Sequence, residues 1–322
     1  MNHESVSLPT FTDQGILQLR GSKNSVRQDR PYAFLVEPEC SADGLVEDVA
    51  TLFLTNRECP FRCLMCDLWK NTTDDRVSAG SIPSQIDHAF AQLPELRQAA
   101  HVKLYNSGNF FDAQAIPPDD WPAIADRVRP YKSVIVENHP KLCGDKCLEF
   151  RDLLGTQLEI AVGLETIHPD VLPRLNKQMT GDDFRRAVEF LVSNNIRVRT
   201  FILLRPPFLS EEEGIEWAIK STEFAFDCGV SCCAIIPTRA GNGMMEKLAS
   251  EGHFEPPQIG SLETVLDAGL AMKRGRVFVD LWDVEQFCDC GICAKERIDR
   301  LDQMNLSQQM LPPVSCSCRV PS

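Results

Sequence analysis

Thr55-Asn-Arg-Glu-Cys59-Pro-Phe-Arg-Cys63-Leu-Met-Cys66-Asp-Leu-Trp69 follows directly on the apolar run 52–54. Three thiols fall within eight residues, spaced Cys-x-x-x-Cys-x-x-Cys. A loop this short can wrap three corners of an iron–sulfur cubane. A 4Fe–4S cluster wants four thiolates, so a local set of three leaves one iron open to a small ligand. A structural zinc site usually pairs two Cys-x-x-Cys units, and no second pair lies close by in sequence. Three packing cysteines in this spacing, at the end of a strand, are a poorer reading. The stretch predicts a 4Fe–4S cluster on Cys59, Cys63 and Cys66.

Outward from this loop, apolar runs fall at 50–55, 102–105, 133–136, 158–164, 198–204, 232–236 and 277–281. Several lack alternation, as parallel strands covered on both faces do. Helical periodicity lies between them. Phe184, Ala187, Val188, Leu191 and Val192 mark one face of a helix. Ile86, Ala89, Phe90 and Leu93 mark an earlier helix, and Ile215, Ala218, Ile219, Thr222 and Phe226 a later one. Thr180 with Asp183, and Ser210 with Glu213, read as capping boxes, and Asn194 and Asn195 can end the first of these helices. Strand–helix repetition of this length gives an α/β fold with a parallel sheet, best suited to a partial (β/α) barrel of the TIM type. Such barrels keep their chemistry at the carboxyl ends of the strands. The expected organisation is an irregular N-terminal extension (1–45), a core barrel (46–283) and a Cys-rich C-terminal tail (284–322).

Composition narrows the class. The first 30 residues lack a long apolar core, which predicts no signal peptide and a cytoplasmic setting. The sequence has no run of about 18 apolar residues, so no membrane span is expected. A net charge of −13 counts against nucleic acid as the whole substrate unless basic residues segregate into a patch. Without a secretion signal, the 14 cysteines point to metal ligation more than to disulfides.

The triplet's spacing and its place after the first strand resemble the radical S-adenosylmethionine (SAM) superfamily. That resemblance implies that SAM chelates the open iron. One-electron reduction then cleaves SAM to methionine and a 5′-deoxyadenosyl radical, which takes hydrogen from an organic substrate. It also implies a one-electron reductant protein of the ferredoxin or flavodoxin kind. Lys103-Leu-Tyr105-Asn106-Ser107-Gly108-Asn109-Phe-Phe-Asp112 stands where the superfamily has a glycine-rich motif that holds the SAM amino group. The resemblance therefore implies a cofactor role for Asn106, Ser107, Gly108 and Asn109, with Gly108 allowing close backbone approach. Ser-Gly-Asn departs from the usual two glycines and an acid, and Met65 stands where an aromatic is favoured.

A closer resemblance runs from about 50 to 240. It rests on the 106–112 segment, Val136-Glu137-Asn-His-Pro140, Gly163-Leu-Glu165-Thr166, Leu175-Asn176-Lys177 and Leu203-Leu-Arg-Pro-Pro-Phe-Leu-Ser-Glu-Glu-Glu213. These are similar to the group around the archaeosine synthase radical SAM subunit, itself similar to the radical SAM core of the Elongator catalytic subunit. Known members of that group act on tRNA, which makes a tRNA base an alternative substrate. Basic residues cluster at Arg185 and Arg186, within 197–205 and within 273–276. A third reading is a non-catalytic iron–sulfur or zinc protein.

Other residues carry two readings each. Glu137 and Glu165, at strand ends, could hydrogen-bond the SAM ribose or the substrate, or pair with Arg174 or Lys177. Arg205 could hold the SAM carboxylate bidentately or form a structural ion pair. His139 reads as a capping or solvated residue, or as a proton carrier. Cys143 and Cys147 share a helix face and read as packing. Cys228, Cys232 and Cys233 read as structural, with Cys232 and Cys233 on opposite strand faces. In the tail, Cys288, Cys290 and Cys293 are followed by Cys316 and Cys318. This set has the thiolate count for a second metal site, either zinc or an auxiliary iron–sulfur cluster.

Overall fold

The computed structural model describes residues 9–316 and residue 318. One sheet of eight strands runs in sequential order: β1 (Ala33–Cys40), β2 (Val46–Phe53), β3 (His101–Tyr105), β4 (Ser133–Asn138), β5 (Gln157–Glu165), β6 (Arg197–Leu204), β7 (Cys232–Pro237) and β8 (Arg276–Val279). β1 is antiparallel to β2, and every later pair is parallel. Parallel neighbours need crossovers. Helices supply them: α2 (Ser81–Gln92), α3 (Trp121–Val128), α4 (Asp145–Leu154), α6 (Gly181–Ser193), α7 (Glu211–Cys228) and α9 (Ile259–Ala271). The result is the curled half-barrel expected from the sequence.

Alternation along the strands explains the two sides of the sheet. Ala50, Leu52, Val102, Leu104, Ile160, Val162, Val198 and Ile202 pack against Ile82, Ile86, Phe150, Phe184 and Val188 of the helices. The intervening positions Lys103, Glu159 and Arg199 are buried and charged. They form a closed ion network with β1 and β8. Glu39 meets Lys103 and Arg199 at 2.6 Å each, and Glu159 meets Arg199 at 2.7 Å and Arg276 at 3.2 Å. Each charge removed from water has a partner, as buried ions require. These residues make a polar floor to the barrel.

Both capping boxes form, at Thr180 with Asp183 and at Ser210 with Glu213. Val192 departs from its expected place on the buried face of α6 and is 42% exposed. The N-terminal extension contains more order than the sequence suggested: a short helix α1 (Asp13–Gln18) and the strand β1. The tail contributes α10 (Ala294–Ser307), which covers the open edge of β8. Asn305 accepts from the Val279 N–H at 2.9 Å and donates to its carbonyl at 2.9 Å. Gln308 does the same for Val277, at 2.8 and 3.0 Å. Two side-chain amides thus stand in for a ninth strand and satisfy an edge that would otherwise invite pairing. Arg297 with Glu263 (2.7 Å) and Arg300 with Asp267 (2.9 Å) fasten α10 to α9. Among the described residues no helix is long and apolar enough to cross a membrane.

Candidate functional site

The cysteine loop lies just beyond the carboxyl end of β2, where its sequence position put it. Cys59, Cys63 and Cys66 are half-buried free thiols. The loop backbone is held from three directions. The Leu64 N–H donates to the Leu175 carbonyl at 2.8 Å, and Asn176 Nδ2 donates to the Arg62 carbonyl at 2.8 Å. On the far side, Asn242 Nδ2 donates to the carbonyls of Leu64 (2.8 Å) and Cys66 (3.2 Å). Asn242 Oδ1 accepts from the Met245 N–H at 2.8 Å, which ties the loop to the start of α8 (Met244–Ser250). Leu64 is buried with Ile16 of α1 and Met244, Met245 and Leu248 of α8. The N-terminal helix therefore seals the loop from outside.

The glycine-bearing segment after β3 packs directly on Cys59. A Cβ on Gly108 would meet the Cys59 Cβ at 3.4 Å, and Asn109 Nδ2 sits 3.2 Å from Cys59 Sγ. Glu137, at the end of β4, accepts from the N–H groups of Asn106 (2.8 Å) and Ser107 (3.1 Å). It acts as the buckle of this segment. Burial pushes its carboxyl up to about 7, against the pull of the Asn106, Ser107 and Gly108 amides. Ser107 has φ 52, and its Oγ lies 2.9 Å from the Tyr32 hydroxyl, so the N-terminal region braces this segment too. The Asn106 side chain is fully buried, yet neither its oxygen nor its nitrogen has a partner. Such an orphaned amide, in the segment that packs on Cys59, suits a site completed by a bound group.

Burial pushes the Cys59 and Cys63 thiols up to about 11 and Cys66 up to about 12. At neutral pH such thiols keep their protons until a metal takes them as thiolates. Three thiols on one short loop are a donor set that suits a 4Fe–4S cluster.

Glu165 and Lys177 are joined in a buried ion pair of 2.5 Å, one of the two readings the sequence offered for Glu165. Arg205 faces Glu211 (2.7 Å), Glu255 (2.6 Å) and the Pro256 carbonyl (2.8 Å), so its guanidinium is already engaged at the starts of α7 and α9. His139 stacks on Phe61 with ring centroids 3.8 Å apart. Its Nε2 donates to the Lys177 carbonyl at 2.9 Å, and its Nδ1 accepts from the Lys141 N–H at 3.2 Å. Burial, followed by Lys177, pushes the ring down to about 3. This neutral imidazole positions the cysteine loop, with both nitrogens occupied.

Cys232 packs with Cys40 and Phe278, and Cys233 joins the main core, on opposite faces as expected. In the tail, Cys290, Cys293, Cys316 and Cys318 bring their sulfurs within 4.8 Å of one another. The closest approaches are 3.9 Å for Cys290 with Cys316 and 3.7 Å for Cys293 with Cys318. The backbone N–H groups of Cys293 and Ile292 hold the Cys290 thiol down at about 7. Cys288 stands outside this group; its thiol faces the Val284 carbonyl at 3.9 Å and packs on the main core.

Asn242 was not named from the sequence, and Asn176 was named only within the Leu175-Asn176-Lys177 segment. The one signal for Asn242 is its setting, Gly241-Asn242-Gly243, where both glycines take positive φ (128 and 87). A Cβ at 243 would collide with the Leu19 carbonyl, so only glycine lets the N-terminal segment pass this close.

No family model matches the chain. It is 24% identical to an uncharacterized protein of Methanocaldococcus jannaschii, over 91% of this chain and 86% of that one. Among solved structures, archaeal Elp3 from Methanocaldococcus infernus, lacking residues 1–46, superposes with a TM-score of 0.50 at 15% identity. That match covers 70% of this chain and 59% of that one, and it shows a shared fold. The half-barrel is the fold that the resemblance to radical SAM enzymes implied, with the cysteine loop at the carboxyl end of β2. The chain is also similar to archaeosine synthase subunit beta of Methanosarcina acetivorans, 25% identical over 80% of this chain and 78% of that protein.

Proposed function

We propose that the chain binds a 4Fe–4S cluster on Cys59, Cys63 and Cys66 and uses it with SAM for radical chemistry on an organic substrate. The observation that carries this reading is the loop of three thiols held against the Gly108 segment at the carboxyl end of β2, with Asn106 left unpartnered beside it. The chemistry such a cluster supplies is one-electron cleavage of SAM to methionine and a 5′-deoxyadenosyl radical. The chain's own residues fix the loop through Leu175, Asn176 and Asn242, and exclude water through Leu64 and α1. The Asn106–Asn109 segment, buckled by Glu137, offers its backbone to the SAM amino acid end. Reconstituted protein should show about four irons per chain and broad visible absorption. A Cys59/Cys63/Cys66→Ala variant should show neither.

The relatives' name favours one substrate class and one kind of partner. Resemblance to archaeosine synthase subunit beta over most of the chain points to a tRNA base as substrate and to a second subunit that completes the enzyme. A ferredoxin- or flavodoxin-like protein would supply the electron, in a cytoplasmic setting. Because net charge is −13, the partner subunit would carry much of the RNA contact. Salt-dependent tRNA binding by a reconstituted complex, and none by the isolated chain, is the expected result.

The tail site is a further part of the reading. One zinc ion with Zn–S of about 2.3 Å sets tetrahedral sulfurs about 3.8 Å apart. The observed 3.9 and 3.7 Å match this spacing. A cubane would spread its thiolates over separate irons. Cys290, Cys293, Cys316 and Cys318 are therefore assigned one structural zinc, which fastens the chain's end to α10. Metal analysis of the triple Cys→Ala variant should find about one zinc and no iron.

A further inference from the structure

We infer that Asn109 and Lys177 tune the electron affinity of the cluster, by setting one hydrogen-bond donor and one buried cation against its thiolates. This rests on the cluster reading above and goes beyond it, because it assigns two side chains to the control of the redox step. Asn109 is 3% exposed, and its Nδ2 lies 3.2 Å from Cys59 Sγ. Lys177 is 7% exposed, and its Nζ lies 2.5 Å from Glu165 Oε1. The place a side chain would take at Gly163 is filled by this pair, with the Cβ position 2.5 Å from Lys177 Nζ. The absence of a side chain there is what lets the ammonium lie over the strand end.

The segment bearing the cation and the loop bearing the thiols form one hydrogen-bonded unit. Leu175 receives the Leu64 N–H, Asn176 holds the Arg62 carbonyl, and the Lys177 carbonyl receives His139, which stacks on Phe61. The cation is thus fixed relative to the sulfurs. Reduction adds one negative charge to a buried centre. A nearby cation and a hydrogen bond to sulfur both stabilise the reduced form, and these are among the recognised determinants of cluster potential. Glu165 acts in the opposite sense by neutralising part of the Lys177 field.

The test is the midpoint potential of anaerobically reconstituted protein without SAM, from a titration followed by EPR, with iron counted in parallel. Lys177→Met and Asn109→Leu should each lower the reduced-to-oxidised ratio at fixed potential about tenfold, a midpoint about 59 mV more negative for one electron. Lys177→Arg should restore most of the change. Glu165→Gln should shift the midpoint the other way, an outcome that a merely structural pair would not give. Wild-type midpoints in the Met and Leu variants at full iron content would overturn the inference. So would shifts of the same sign in Lys177→Met and Glu165→Gln, or loss of iron from both the Met and Leu variants. A wild-type protein that takes up no cluster would instead overturn the cluster reading.

Discussion

Replacing Asn242 with Ala isolates the contribution of the loop's outer clamp. Asn242 is 4% exposed and makes three hydrogen bonds: to the carbonyls of Leu64 and Cys66 and from the N–H of Met245. Alanine leaves three backbone groups with no side-chain partner in a place water reaches poorly. At about 0.5–1.5 kcal/mol net for each lost bond, the expected destabilisation is about 2–4 kcal/mol. Asn242→Asp separates the two halves of the role. Aspartate keeps an acceptor for Met245 and so keeps α8 anchored, but it turns an anion toward two carbonyls and releases the loop. Denaturant unfolding of the metal-free chain should show a loss in both variants. Iron uptake on reconstitution should fall in both as well, because the loop is no longer set for three thiolates. Asn242→Ala with unchanged unfolding and full iron uptake would refute the clamp.

Three further changes test separate parts of the structure. Gly108→Val should weaken SAM binding, measured by anaerobic calorimetry, and should also disturb iron loading, because branching here presses on Cys59, already 3.4 Å from the Cβ position; unchanged affinity would remove this segment from the site. Glu137→Gln keeps an acceptor for the Asn106 and Ser107 amides but cannot titrate. In the wild type the folded carboxyl titrates near 7, above the usual value of about 4.3. Its favourable contribution is thus complete below about pH 4.3 and is lost as pH rises through about 7. The stability difference between wild type and variant should shift in the variant's favour over that window, and parallel pH profiles would contradict the burial of this group. Asn305→Ala removes two bonds to the β8 edge and should lower stability by about 1–3 kcal/mol in denaturant unfolding; no change would mean that the edge is satisfied without α10.

The cysteine loop was legible because its information is local: three thiols, their spacing and the strand before them lie within one short stretch. The strands β2 to β8 and both capping boxes were legible for the same reason. β1 was not, because 33–40 carries Pro38 and two acidic breaks in its apolar pattern, Glu37 and Glu39. Proline is tolerated on an edge strand, and Glu39 turns inward to Lys103 and Arg199, contacts that only the closed barrel creates. The same hidden pairing explains why Lys103, Glu159 and Arg199 could sit inside runs that read as apolar. Arg205 and Glu165 were rightly placed at strand ends, and Lys177 was among the partners expected for Glu165, but the Arg205 partner Glu255 is set by a loop whose path the sequence does not show. In the tail the thiol count was visible. Which four converge depends on α10 folding back along β8, and this leaves Cys288 on the core side.

The most direct measurement is SAM cleavage by anaerobically reconstituted protein reduced with dithionite, with 5′-deoxyadenosine as the product followed. The wild-type chain with about four irons should form it, and the Cys59/Cys63/Cys66→Ala chain, though folded, should form none. No 5′-deoxyadenosine from the fully loaded wild type, or equal amounts from both proteins, would contradict a radical SAM centre on these three cysteines.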